Sequence, residues 1–174
     1  MDNQNQLSSE SSVEEVINFF VTKFQINEKI QNNLKKESIT GDVLPLLTDE
    51  ELKNPLGLKF GPIKSWKLYF KDNADKFKPK EIKEKITTKS SEEEVKSFFE
   101  RCLDFKGALN GMNGKQLIAL KEEEMKKIGL NLGKRKKLLE YIKHFETLVK
   151  TENAEEDEKI AINRQSSFKD VANF

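Results

Sequence analysis

A chain of 174 residues has room for one domain or two small ones, and its formal net charge of +1 gives no global field to draw nucleic acid or membrane. Charged residues make up 35% and apolar residues 36%, and no apolar run approaches the roughly 20 residues a membrane helix needs. The single cysteine, Cys102, excludes an internal disulfide and fits a reducing, intracellular and cytoplasmic setting.

The first stretch, MDNQNQLSSE, is polar and acidic and lacks the basic and apolar regions of a secretory signal. Residues 1–12 are read as a flexible N-terminus. Ser12 followed by Glu15 then forms a capping box, with hydroxyl to an orphan amide and carboxylate back to the cap. It launches Val16, Phe19, Phe20 and Phe24, whose spacing marks one helix face. Thr40-Gly41 is a turn and cap signal before the apolar stretch 43–47, and Thr48 with Glu51 is a further capping box. Gly57 suits a left-handed helix end. Gly61 and Pro62 open a longer helix carrying Trp66, Tyr69 and Phe70.

The same sequence of signals then recurs. SSVEEVINFF (11–20) matches SSEEEVKSFF (90–99) at an offset of 79. ITGDVLPLLTDEEL (39–52) matches MNGKQLIALKEEEM (112–125) at 73, and LGLKFGPIKSWKLYF (56–70) matches IGLNLGKRKKLLEYI (128–142) at 72. The first copy therefore carries six extra residues around 27–38 and one at Pro55, lengths expected in loops or at helix ends. In the second copy Ser91 and Glu94 form the capping box, and Val95, Phe98, Phe99 and Leu103 the apolar face. Asn113-Gly114 takes the turn, and Lys121 replaces the capping threonine. Gly129 takes the left-handed end, and Leu138, Tyr141 and Ile142 line the last helix. No strand-like alternation with hairpin turns occurs.

The start of that last helix is unusual. Lys134, Arg135, Lys136 and Lys137 crowd an N-terminus where the macrodipole is already positive, costing a few tenths to about 1 kcal/mol for each cation. Their counterparts in the first copy are Pro62, Ile63, Lys64 and Ser65, so the helix does not require four cations there. Residues 92–150 carry 13 Lys+Arg against 10 Asp+Glu, a local +3, and residues 151–174 carry 3 against 6, a local −3. Any electrostatic function is thus a patch.

Catalysis is not expected. The single histidine, His144, sits late in the last helix as a boundary residue, and Cys102 beside Leu103 reads as a packed thiol. With one His and one Cys a zinc site is disfavoured, and no glycine run cradles phosphate. The carboxylate runs 49–51, 92–94 and 122–124 offset helix dipoles at helix starts.

Taken together, the Val-x-x-Phe-Phe face, the GDVLPLL-TDEEL or GKQLIAL-KEEEM segment, the Leu-Gly-Leu or Ile-Gly-Leu turn and the long final helix resemble the sterile alpha motif (SAM) domain, twice. The resemblance implies an all-α protein of two five-helix SAM-like bundles in tandem. Domain 1 is expected over 13–71 and domain 2 over 92–149, with a Lys-rich linker at 72–91 holding a short helix near 80–86, and a flexible acidic tail at 150–174. In the tail, Arg164 stands three before Ser167, the spacing of a kinase or phospho-reader site, and Ile160, Ile162, Phe168 and Val171 suit a short linear motif.

The family mostly associates proteins, joining an acidic mid-loop surface to an end-helix surface at the start of the last helix. By that resemblance the end-helix residues here are Lys134, Arg135, Lys136 and Lys137, and the mid-loop residues are Asp42, Asp49, Glu50 and Glu51. The expected function is a scaffold or adaptor that self-associates head to tail or binds another SAM-like domain, with no cofactor, no metal and no small-molecule substrate. RNA-hairpin binding through Leu132, Gly133 and Arg135 is the alternative, and membrane contact is disfavoured because no exposed apolar anchor is evident. Beginning at Met1 with no other domain recognisable, the chain is expected to be a complete small adaptor.

Overall fold

A computed structural model describes residues 6–78, 86–103, 109 and 111–147. Among them the chain is all-α, without a strand. The order is α1 (Val13–Phe24), α2 (Glu28–Lys36), a 3-10 turn (Leu44–Leu46), α3 (Asp49–Lys53), α4 (Phe60–Asp72) and a second 3-10 turn (Ala74–Phe77). Then come α5 (Glu92–Leu103), α6 (Gly114–Ile118), α7 (Glu122–Lys127) and α8, described over 132–147. Among the described residues no helix is long and apolar enough to cross a membrane.

Helices α1, α3, α5 and α6 begin where their caps predict. Ser12 accepts from Glu15 N at 3.2 Å while Glu15 accepts from Ser12 N at 2.7 Å. Ser91 and Glu94 repeat the exchange at 3.3 and 2.8 Å, and Thr48 and Glu51 at 3.2 and 2.9 Å. At α7 only the return half is made, Glu124 accepting from Lys121 N at 3.0 Å, because a lysine ammonium has no acceptor to offer. Gly57 and Gly129 have φ of 85° and 83°, in the left-handed region their positions predicted. Helix α2 was not legible in the repeat. It occupies the extra residues of the first copy, capped by Asn27, with only Ile30 and Leu34 buried.

The chain divides into two compact units, one of residues 1–84 with 121–139 and the other of 85–120 with 140–174. Residues 121–139, part of the second copy in sequence, thus group with the first copy. In the first unit Val16, Phe19 and Phe20 of α1 pack with Leu34, Leu44, Leu52, Leu56, Ile63 and Trp66. Rings of Phe19, Phe20, Phe24, Trp66, Tyr69, Phe70 and Phe77 form a continuous cluster, with Trp66 and Phe77 edge to face at 5.5 Å. Phe77, expected in the linker, is therefore core, and Leu132 of α8 is 1% exposed in the same core. In the second unit Phe98 meets Phe99 at 5.0 Å and Tyr141 and Phe145 at 5.6 Å. The side chains of Cys102 and Leu103 lie outside the described residues, as do the short helix expected near 80–86, save Ile86, and the tail with its expected phospho-site and linear motif.

Residues 7–12, expected to be flexible, are held in place. Leu7 is buried, its N–H donates to the Tyr69 hydroxyl at 2.9 Å, and Ser9 N–H donates to Lys76 O at 2.9 Å. Ser8 N–H donates to Ser11 Oγ at 3.1 Å, and Thr87 N–H to Ser90 Oγ at the same distance. Gly41 N–H donates to Ser11 O and Gly114 N–H to Ser90 O, both at 2.8 Å. The repeat thus reaches back to Leu7 and Ile86, both buried.

Candidate docking site at the start of the last helix

The segment that begins α8 lies against residues 36–51, inside the first unit. Asn131 caps the helix: its Oδ1 accepts from Lys134 N at 3.1 Å. The other end of the same side chain donates to Lys36 O at 3.1 Å and Ser38 Oγ at 2.7 Å. Glu37 meets the first free amides of α8 twice. Its carboxylate accepts from Leu132 N at 2.7 Å and its carbonyl from Gly133 N at 2.8 Å. The approach is close because Gly133 has no side chain; a Cβ there would stand 2.3 Å from Ser38 O.

The four cations follow. Lys136 Nζ is 2.6 Å from Glu51 Oε1 and 3.8 Å from Glu122 Oε1, with the Lys136 and Glu51 side chains only 13% and 19% exposed. Lys137 Nζ is 2.8 Å from Asp42 Oδ2. Arg135 turns back, donating from a terminal nitrogen to Leu130 O at 2.6 Å, with its Nε 3.7 Å from Glu122 Oε1 and no hydrogen-bond partner. Lys134 is half-buried and contributes its backbone amide to the Asn131 cap. Carboxylates from Glu37, Glu51, Glu122 and Asp42 therefore surround a helix start that is both cationic and positive by dipole. That removes the apparent fault seen in the sequence.

Of the four acids expected on the mid-loop surface, Asp42 and Glu51 meet the α8 cations and the other two do not. Asp49 pairs with Lys67 of α4, and Glu50 accepts from Asn54 Nδ2 at 3.1 Å on its own helix. Glu37, Ser38 and Asn131 were not singled out in the sequence, since nothing in the repeat aligns with the insertion that supplies the first two. Burial pushes the Glu51 carboxyl up, but Lys136 and the amide and hydroxyl of Thr48 outweigh it, holding the group below its ordinary value of 4.5. A folded-state value below the unfolded one gives stability that is full above the unfolded value and lost as pH falls through the folded one. Urea midpoints of the wild type and Glu51→Gln are thus expected to differ near neutrality and converge as pH falls below 4.5 and through the lowered folded-state value.

Among the described residues no group of three or more His, Cys, Asp or Glu side chains is placed to hold a metal. No family model matches the chain, and no curated protein and no solved structure matches it.

Proposed function

We propose that this chain is a protein-association scaffold of two SAM-like five-helix bundles in tandem, acting without cofactor or catalysis. The start of α8 is its basic docking element and the segment 37–51 its acidic receptor. The observation that carries this reading is the mutual fit of the two, with Lys136 on Glu51, Lys137 on Asp42 and Gly133 seated on Glu37. An end-helix element meeting a mid-loop element is how the resembling family joins proteins. Here the pair closes within one chain. The same contact made between chains gives head-to-tail association. RNA binding is disfavoured, because phosphate would have to displace carboxylates from Lys136 and Lys137.

A charge exchange tests it. In Lys136→Glu with Lys137→Glu, and in a second chain with Glu51→Lys and Asp42→Lys, the internal contact meets like charges. Each variant alone is expected to sediment as a loosened monomer. The mixture restores opposite charges across chains and is expected to give a 1:1 complex that weakens with salt. A mixture that stays monomeric at low salt rules out the docking pair as an association element.

A further inference from the structure

Helix α4 is fixed to the first unit by Ile63 and Trp66, both 3% exposed, with Tyr69 and Phe70 packed against the same core. One ridge is left facing outward. By helical periodicity Phe60, Lys64, Leu68 and Lys71 fall on a single narrow stripe opposite Trp66. Phe60 is 72% exposed and Leu68 56%, and neither belongs to the core cluster. Lys59, Lys64 and Lys71 are exposed beside them. Lys67, at the edge of the ridge, is paired with Asp49, and Asp72 at the far end is the one acid in α4. At the repeat positions of Phe60 and Leu68 the second copy has Leu132, 1% exposed, and Glu140, so the ridge is particular to α4. Large apolar side chains held outward among cations do not serve the fold and call for another role. The sequence shows no exposed apolar anchor, because Phe60 and Leu68 pass for core residues of a bundle helix; the structure turns both to the surface.

We infer that the outward ridge of α4 is a membrane-contact surface that seats the protein on anionic lipid headgroups. Phe60 and Leu68 enter the boundary between headgroups and acyl chains. Lys59, Lys64 and Lys71 lay their stems along the ridge and keep their ammonium groups among the lipid phosphates. A lipid surface suits this ridge better than a protein does. Phe60 and Leu68 stand two turns apart with Lys64 between them, and an added Cβ at neighbouring Gly61 would meet nothing within 4 Å. A protein partner would need a separate pocket for each apolar side chain and a carboxylate between the pockets, whereas fluid headgroups rearrange around a convex helix. The contact is peripheral, since among the described residues no helix is long and apolar enough to cross a membrane. So small an apolar surface gives weak, reversible attachment that depends on the cations, and hence on anionic lipid. The pairing of α8 with 37–51 plays no part in it, so the inference goes beyond the proposed association function and stands apart from it.

Co-sedimentation of the full chain with lipid vesicles tests it. The chain is expected to bind vesicles of phosphatidylcholine and phosphatidylserine in equal parts, to be released by added salt, and to ignore vesicles of phosphatidylcholine alone. Phe60→Ser is expected to weaken binding about tenfold or more with an unchanged melting temperature, since Phe60 stands outside the core. Lys64→Glu is expected to weaken it about tenfold, again with the fold intact. Phe60→Trp places an indole on the ridge. Vesicles with brominated acyl chains are expected to quench that added emission and to leave the buried Trp66 of the wild type unquenched. Absence of binding at low salt, as for a ridge that serves a protein instead, overturns the inference. So does equal binding to neutral vesicles, binding untouched by Phe60→Ser, or binding of Phe60→Trp without quenching.

Discussion

Gly41→Ala is expected to destabilise the first unit by about 3 kcal/mol, and Gly114→Ala to do the same to the second. A Cβ on Gly41 would stand 1.9 Å from the Ser8 carbonyl oxygen and one on Gly114 1.8 Å from that of Thr87. Both obstacles are backbone, so no rotamer change relieves them. The turn must move, and the amide bonds to Ser11 O and Ser90 O at 2.8 Å go with it. Loosening the first turn also draws Leu7 from the core. Trp66, the chain's single tryptophan, is buried in the first unit, so its fluorescence during urea unfolding reads Gly41→Ala directly. Far-UV circular dichroism reads Gly114→Ala. Variants within about 0.5 kcal/mol of wild type would mean that the close approach is not a feature of the folded protein.

Gly133→Ala is expected to cost about 2–3 kcal/mol, while Gly61→Ala at the same repeat position is neutral or stabilises by about 0.5–1 kcal/mol. The chemistry of the substitution is identical, and only the surroundings differ. A Cβ at residue 133 would lie 2.3 Å from Ser38 O and 2.6 Å from Glu37 O, whereas one at residue 61 meets nothing within 4 Å. Residue 61 lies inside a helix, where alanine loses less backbone entropy than glycine. Gly133→Ala is also expected to speed hydrogen exchange at the Leu132 amide, which donates to the Glu37 carboxylate at 2.7 Å. Equal stability of the two variants in urea would contradict the seating of α8 on Glu37 and Ser38.

The capping boxes at Ser12, Thr48 and Ser91 and the positive-φ glycines Gly57 and Gly129 were legible in the sequence because each is a local rule. The interacting groups lie within a few residues of one another. The apolar faces of α1 and α5 were legible for a related reason: helical periodicity reports which side is buried without saying against what. Helix α2 escaped because two apolar residues in a polar segment give no period to count. Leu7 escaped because its burial goes with Tyr69, far along the chain, and Phe77 because it packs back on Trp66 from a second 3-10 turn (Ala74–Phe77) after α4, which the Lys-rich composition of its segment hid.

The candidate docking site divides the same way. Sequence comparison of the two copies singled out Lys134, Arg135, Lys136 and Lys137 as cations the helix itself does not need, and the resemblance to the family's mid-loop surface marked Asp42, Asp49, Glu50 and Glu51 as acids of complementary sign. That comparison determined the residue types and the helix on which they stand. Only the tertiary structure decided that Lys136 and Lys137 meet Glu51 and Asp42 of the same chain, that Asp49 and Glu50 turn elsewhere, and that Glu37 caps α8. The physical reason is range. Caps and periodicity act over one or two turns of helix, whereas an ion pair joining residue 51 to residue 136 depends on how the intervening chain folds back. No local rule carries that information.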